Sequence, residues 1–281
     1  MSAEFFTRAD LLHAGHTRRS IQAQVRSGDL IHARRDRYLA GDTHDSLVRA
    51  VRVGGRLTCL SLLATLGVFV LENRRLHVHV PATAGRLRAP GNRRKRLKPP
   101  QSRKVRLHWS DLIQDPGSRC AVSVVDALVH AVTCQTPRAA IATLDSALHR
   151  RLIGIDDLNT VFAALPARFH ALRALVDARA ESGPETLVRL MARVLGCDVR
   201  LQVEFDDIGR VDLLLDGWLV VECDSREFHQ DWKTQVKDRE RDVALAALGY
   251  CTLRVTAAMI MYRPDDVFAA LRGLISSRRA V

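Results

Sequence analysis

The chain has 281 residues, 47% of them hydrophobic, and a formal net charge of +12. That length allows two domains and perhaps a small third. No apolar run approaches a membrane span, MSAEFFTRADLL lacks the basic-then-apolar pattern of a signal peptide, and six scattered cysteines without a C-x-x-C argue against a zinc site or a disulfide scaffold. A cytoplasmic protein with no membrane partner is expected. The charge is unevenly placed: residues 1–110 hold 22 Lys and Arg against 7 Asp and Glu, and residues 111–281 hold 21 against 24. One end is suited to a polyanion, since phosphate neutralisation releases counterions; the other concentrates acids.

Thr7-Arg8-Ala9-Asp10 reads as a capping box opening the helix ADLLHA, which Gly15 stops. Thr17 begins a second helix, TRRSIQAQVRSG, ended by Gly28. Ile21 and Val25 share one face of it, while Arg18, Arg19, Gln22 and Arg26 project elsewhere. LIHARRDRYLAG follows as two short strands around Arg35-Asp36. This is the order of a winged helix-turn-helix over residues 1–44. DNA is the expected partner, with Arg18, Arg19, Gln22 and Arg26 at the groove and Arg34, Arg35 and Arg37 on phosphates. A solvated basic helix face with no partner is the alternative.

Residues 45–180 read as a mixed, mostly helical middle domain. SLVRAVRVGG and CLSLLATLG are helices leading to a strand, RLHVHVPA. His77 and His79 share one strand face; with no third ligand in view they are expected to be exposed strand residues. Residues 86–106 hold ten Lys and Arg with three Pro, which predicts a basic loop, disordered unless phosphate orders it. CAVSVVDALVHAV, PRAAIATLDSALHRRL and IDDLNTVFAAL are helices. No internal repeat is present.

GHTRRSIQAQVRSGDLIHARRDRYLAG, VHVPATAGRLR, SVVDALVHA and LDSALHRRLI together resemble the N-terminal part of AbiEi-type antitoxins and related actinobacterial regulators, over roughly residues 5–155. Asp36 stands where those proteins usually have a turn glycine. The resemblance implies a DNA-binding regulator and raises a toxin-like protein as a candidate partner; the oligomeric state is left open.

From 181 to 281 the pattern changes. Pro184 opens the helix PETLVRLMARVLG, with Glu185 in its first turn. DVRLQVEF is an alternating strand; RVDLLL and WLVVECD flank Asp216-Gly217 as a hairpin. DWKTQVKDRERDVALAALG is an amphipathic helix, YCTLRV a strand and PDDVFAALRGLI a closing helix. The order is αβββαβα, so the whole chain is expected to be an α/β (α+β) multidomain protein.

Strand parity governs three acids in that hairpin. A two-residue turn would put Asp212 on the face away from Glu222 and Asp224. A three-residue loop, Leu215-Asp216-Gly217, puts all three on one face with Leu214 and Val220, and leaves Val211, Leu213, Leu219, Val221 and Cys223 on the other. The second register separates the faces cleanly and is the expected one. Clustered carboxylates repel, so a cation should neutralise them; Mg²⁺ or Mn²⁺ on oxygen ligands could activate water against a phosphodiester.

Asp212-x9-Glu222-x-Asp224 after a helix carrying Glu185 is similar to the PD-(D/E)XK nuclease arrangement. Val211-Asp212, Glu222-Cys223-Asp224, His229, Asp238-Arg239-Glu240-Arg241-Asp242, Leu245, Gly249 and Arg254 resemble, in order, the motifs of very-short-patch-repair-related (Vsr-like) endonucleases, over roughly residues 183–275. Asp224 replaces the usual superfamily Lys, and Ser225 a usual Gly. The resemblance implies a restriction-endonuclease-like fold, Asp212 and Glu222 as metal ligands with Asp224 beside them, Glu185 holding a metal-bound water and His229 moving a proton. Lys233 or Lys237 could steady transition-state charge. Arg239, Arg241 and Arg254 are expected to pair with Asp238, Asp242 or the acids, and Trp232 to pack. Two functions stay open: a Mg²⁺-dependent DNA endonuclease, or a non-catalytic antitoxin or repressor using the nuclease fold as a scaffold. RNA as the substrate is a third.

Overall fold

The computed structural model describes residues 4–114, 117–224 and 232–279. In chain order the elements are α1 (Arg8–His13), α2 (Arg18–Ser27), β1 (Leu30–Arg34), β2 (Arg37–Ala40), α3 (Asp45–Val53), β3 (Arg56–Leu57), α4 (Cys59–Thr65), β4 (Leu76–His79), β5 (Arg88–Ala89), β6 (Asn92–Arg96), β7 (Val105–His108), α5 (Val124–Cys134), α6 (Pro137–His149) and α7 (Ile155–Ala164). They continue with α8 (Gly183–Val194), β8 (Val199–Phe205), β9 (Gly209–Leu215), β10 (Leu219–Asp224), α9 (Trp232–Ala247), β11 (Cys251–Thr256), α10 (Ala257–Tyr262) and α11 (Pro264–Arg279). Helices and small mixed sheets make this a mixed α/β chain. Among the described residues, no helix is long and apolar enough to cross a membrane.

The chain forms two compact units, Met1–Gln135 with Leu152–His170, and Thr136–Arg151 with Ala171–Val281. The sequence-based division into three spans puts α6 in the middle one. α6 instead belongs to the second unit, because Asp145 on it is locked to α8. Arg189 Nη2 donates to Asp145 Oδ2 at 2.7 Å, Thr186 Oγ1 donates to the same oxygen at 2.8 Å, and both charged side chains are 1% exposed. Buried charges persist only when so paired.

In the first unit, local chemistry sets the ends of the elements. Thr7 Oγ1 accepts from Asp10 N while Asp10 Oδ2 accepts from Thr7 N, and Thr17 and Ser20 repeat the exchange at α2. Leu11, Ile21, Leu30 and Tyr38 form one core cluster, with Val25 against it. β1 and β2 pair antiparallel with Arg34 opposite Arg37, leaving Arg35-Asp36 as the turn. A second sheet runs β3-β4-β7, with β3 antiparallel and β7 parallel to β4. Gly55 permits its close packing: a Cβ there would lie 2.0 Å from the His79 carbonyl oxygen.

The basic segment 86–106 is ordered, contrary to expectation. β5 and β6 form a hairpin about Pro90-Gly91, followed by a 3₁₀ turn, Gln101–Lys104, and β7. Asn92 Oδ1 accepts from the amides of Arg94 and Lys95, and Arg52 Nη1 donates to the Pro90 carbonyl at 2.8 Å. These bonds fix the turn despite the charge.

In the second unit the sheet order is β11-β10-β9-β8. β8, β9 and β10 form an antiparallel meander, and β11 returns parallel to β10 after α9. The element order matches the expected αβββαβα except that α10 precedes the closing helix, α11. Ser182 Oγ accepts from Glu185 N at 3.3 Å, so the cap of α8 fixes the residue that carries its acid.

Candidate functional site

β9 and β10 pair Leu215 with Leu219, Leu214 with Val220 and Leu213 with Val221. The pairing ends at Leu213–Val221; beyond it Asp212 comes within electrostatic reach of both Glu222 and Asp224. The connection has three residues, but they are Asp216-Gly217-Trp218, one position later than expected. Asp216 (φ 48°) and Gly217 (φ 72°) are both left-handed, and Trp218 N donates to the Leu215 carbonyl at 3.1 Å. Asp216 Oδ1 also accepts from Asp198 N at 2.8 Å, which ties the turn to the entry of β8. Parity is unchanged by the shift. Val211, Leu213, Leu219, Val221 and Cys223 are all buried, but Val211 packs with Leu214, Val220 and Leu245, so the expected separation of the two faces breaks at Val211.

Each acid has a distinct environment. Asp212 Oδ2 accepts from Cys223 N at 2.8 Å. Glu222 is 6% exposed, and its Oε1 lies 2.8 Å from Arg241 Nη2. That nitrogen donates instead to the Arg210 carbonyl, leaving Glu222 Oε1 buried in an ion pair without a hydrogen bond. Asp224 lies 3.5 Å from Arg254 Nη1, while Arg254 Nε bonds both carboxylate oxygens of Asp242 at 3.0 and 3.1 Å. Glu185, 5% exposed, accepts from Glu181 N and Gln202 Nε2 at 2.9 and 2.8 Å through one oxygen, Oε2. Gln202 has φ 53° in the middle of β8. A left-handed non-glycine residue within a strand is strained, and such strain concentrates at functional sites.

Burial, then the neighbouring Asp212, pushes the Glu222 carboxyl up to about 7. Burial also raises Asp212 and Glu185. Asp212 and Glu222 are the residues that could hold a divalent cation, with Asp224 and Glu185 within electrostatic reach. Hard carboxylate oxygens suit Mg²⁺, and Glu222 Oε1, buried without a hydrogen bond, could take the ion in exchange for the Arg241 guanidinium, so the donor set fits. Arg241 supplies the compensating charge in its place. His229 and the side chain of Lys233 lie outside the described residues, as does that of Trp232. Lys237 is exposed on α9, and Arg239 pairs with Asp242 at 3.7 Å.

In the first unit, Arg18, Arg19, Gln22 and Arg26 are exposed at helical spacing along α2, and Arg35 is exposed in the β1–β2 turn. Arg34 is a correction: its guanidinium donates to the carbonyls of Arg52, Val53 and Arg86 at 3.1, 2.8 and 3.2 Å. It seals the C-terminus of α3 rather than reaching for phosphate. Arg37 is half-buried, 4.8 Å above the Phe5 ring, and is also withdrawn from the phosphate-facing set. Arg94, Lys95 and Arg96 are exposed on β6 and add basic surface that the expected loop did not place.

The fold also assembles a cluster that the sequence does not announce. One ligand atom each from Cys59, His77, His108 and Cys134 lie within 4.8 Å of one another, a group that could hold a metal ion. His77 and His79 are 6% and 8% exposed, so the expectation of exposed strand residues fails. The parallel β4–β7 pairing turns His77, His79 and His108 to one face, and α5 sets His130 and Cys134 one turn apart. Burial, then His130, pushes His108 down to about 3, so its imidazole stays neutral. Burial raises the Cys59 thiol, and the hydrogen bond from Cys59, then one to His77, holds Cys134 down. The available signal is the strand histidines His77 and His108; the wide spacing of Cys59 and Cys134 along the sequence hides the rest.

No protein-family model, no curated protein and no solved structure matches this chain.

Proposed function

We propose that this is a DNA-binding protein whose second unit hydrolyses phosphodiester bonds with Mg²⁺ or Mn²⁺, on a restriction-endonuclease-like αβββαβα core of the Vsr-like kind. The observation that carries the reading is Asp212 bonded to the amide of Cys223, the residue between Glu222 and Asp224, with Glu185 in electrostatic contact with Asp212 and Glu222 Oε1 buried and lacking a hydrogen bond. Asp212 and Glu222 would hold the ion. When bound, it would lower the pKa of a water and neutralise the scissile phosphate. Cys223 N orients Asp212, Arg254 positions Asp224, and Gln202 orients Glu185. Proton transfer is assigned to His229 by the motif resemblance. None of the six cysteines is in a disulfide, which suits a reducing cytoplasm.

The test is nicking of supercoiled plasmid by the full chain with Mg²⁺ or Mn²⁺. Asp212→Ala and Glu222→Ala should each lower the rate at least about 100-fold, the scale on which loss of transition-state charge stabilisation is felt. Equal nicking by wild type and both variants would sink the reading.

One observation favours a scaffold instead: Arg241 already sits 2.8 Å from Glu222 where a cation would act. A non-catalytic antitoxin or repressor, with a toxin-like partner, would keep that pair and show no nicking with any metal. An RNA substrate would give cleavage of RNA but not of plasmid.

Under either reading, α2 of a winged helix-turn-helix is the DNA-facing element. Replacing Arg19 and Arg26 together by Ala should reduce the slope of log K against log salt by about 2, near 0.9 for each phosphate no longer neutralised. Fluorescence anisotropy across a salt series checks this. An unchanged slope would remove α2 from the interface.

A further inference from the structure

We propose that the first unit holds one structural transition-metal ion, most suitably Zn²⁺, ligated by Cys59, His77, His108 and Cys134. Cys59 is the first residue of α4 and Cys134 the last of α5; His77 and His108 lie on the adjacent parallel strands β4 and β7. Four elements therefore converge on one point, with their ligand atoms within 4.8 Å of one another.

The geometry is close to that of a filled site. Zn–N bonds of about 2.0–2.1 Å and Zn–S bonds of about 2.3 Å at tetrahedral angles place neighbouring ligand atoms roughly 3.3–3.8 Å apart. His77 Nδ1 and His108 Nε2 are 3.1 Å apart in a hydrogen bond, whose proton the ion would displace. Closing the widest pair requires about 1 Å of movement, within reach of side-chain rotation. Cys59 has φ 54° at the first turn of its helix. A cysteine held in the left-handed region is strained, and the fold keeps it there, where its thiol meets the other three ligands.

The surrounding histidines are spoken for, which limits the ligand set to four. His130 Nδ1 bonds Thr58 Oγ1 at 2.7 Å, and its Nε2 bonds Ser110 Oγ at 2.6 Å. His79 Nε2 bonds the Ser110 carbonyl at 3.0 Å. His130 packs at a tilt against His108, ring centroids 4.5 Å apart, and so limits its orientation. Two thiolates and two imidazoles are soft-to-borderline donors that favour Zn²⁺ over Mg²⁺. Four protein ligands leave no open position, so the site is structural rather than catalytic. It is independent of the carboxylates of the second unit.

The test uses the full chain, purified with and without chelator and then titrated anaerobically with Co²⁺. One equivalent should bind, with thiolate-to-cobalt charge transfer and the intense ligand-field bands of a tetrahedral ion. Zinc content as purified should be one per chain, fall to near zero in Cys134→Ser and His108→Ala, and stay at one in His79→Ala and Asp212→Ala. Should the first two variants unfold, His108→Cys decides: it should retain one metal and gain charge-transfer intensity. No charge-transfer band in wild type, a band undiminished in folded Cys134→Ser, unchanged intensity in His108→Cys, or a Cys59–Cys134 disulfide in the freshly purified reduced protein would each overturn the proposal.

Discussion

Arg189→Met is expected to destabilise the second unit by about 3–5 kcal/mol, the cost of leaving one partner of a buried ion pair unpaired. Asp145 sits on α6 and accepts three hydrogen bonds, from Asp177 N, Thr186 Oγ1 and Arg189 Nη2. Burial raises its pKa despite the guanidinium beside it. Without Arg189 the carboxylate must take up a proton or remain buried and charged. The whole stability of a domain is typically about 5–15 kcal/mol, so this single change removes a large fraction.

Asp145→Leu with Arg189→Met should recover only part of the loss. The apolar pair removes both charges, but it orphans the Asp177 amide and the Thr186 hydroxyl, at about 1–3 kcal/mol each. Urea denaturation followed by amide exchange in α8 measures Arg189→Met, Asp145→Leu and the double variant. Strictly additive losses would show that Asp145 and Arg189 do not act as a pair, and that α6 is held in this unit by something else.

That placement of α6 shows where sequence reading stops. Its helical character is legible from PRAAIATLDSALH, with Pro137 at the first turn. Its allegiance is not, because it rests on Asp145 meeting Asp177, Thr186 and Arg189, 32 to 44 residues away. The N-terminal elements are legible for the opposite reason: Thr7, Thr17 and Gly28 act within a few residues of themselves. Arg34 misleads because sequence shows a charge, not the carbonyls of Arg52 and Val53 that occupy it. In segment 86–106 charge density argues for disorder and the Pro90-Gly91 turn for a hairpin, and the Asn92 side chain tips the balance to the hairpin.

The acidic hairpin is legible in parity but not in position. Leu215 and Leu219 are both fully buried and pair with each other, which draws Leu215 into the strand and pushes Trp218 into the loop. Parity depends only on whether the loop is odd or even, so the shift leaves Leu213, Leu214 and Leu215 in the expected alternation; the end of the ladder at Leu213, where Asp212 takes the Cys223 amide, is not legible. The Cys–His cluster is illegible for a topological reason: its ligands stand at 59, 77, 108 and 134, and only the β4–β7 pairing and the α5 terminus bring them together.

In metal-free protein the stability of the second unit is expected to fall as pH rises from about 4.5 to about 7. Folded Glu222 keeps its proton to about 7, against 4.5 for the ordinary carboxyl. Between those values the folded state binds more protons than the unfolded chain, so raising the pH favours unfolding, by up to about 3 kcal/mol at 1.36 kcal/mol per pH unit. Burial and the carboxyls of Asp212 and Asp224 raise the value; Arg241 and Arg254 oppose them. Raised values at Asp212 and Glu185 act in the same direction. Glu222→Gln should remove most of this loss. The measurement is urea denaturation with chelator present, read by amide exchange in β9 and β10, at pH 5 and pH 7.5. Identical pH dependence in wild type and Glu222→Gln would defeat the expectation. Magnesium should then act with the opposite sign. It binds the ionised carboxylates, so its stabilisation grows with pH and reaches about 2.7 kcal/mol at a hundred times its Kd. If Arg241 is the only cation this site ever meets, Mg²⁺ leaves the pH 7.5 stability unchanged, and the hairpin is a scaffold rather than a metal site.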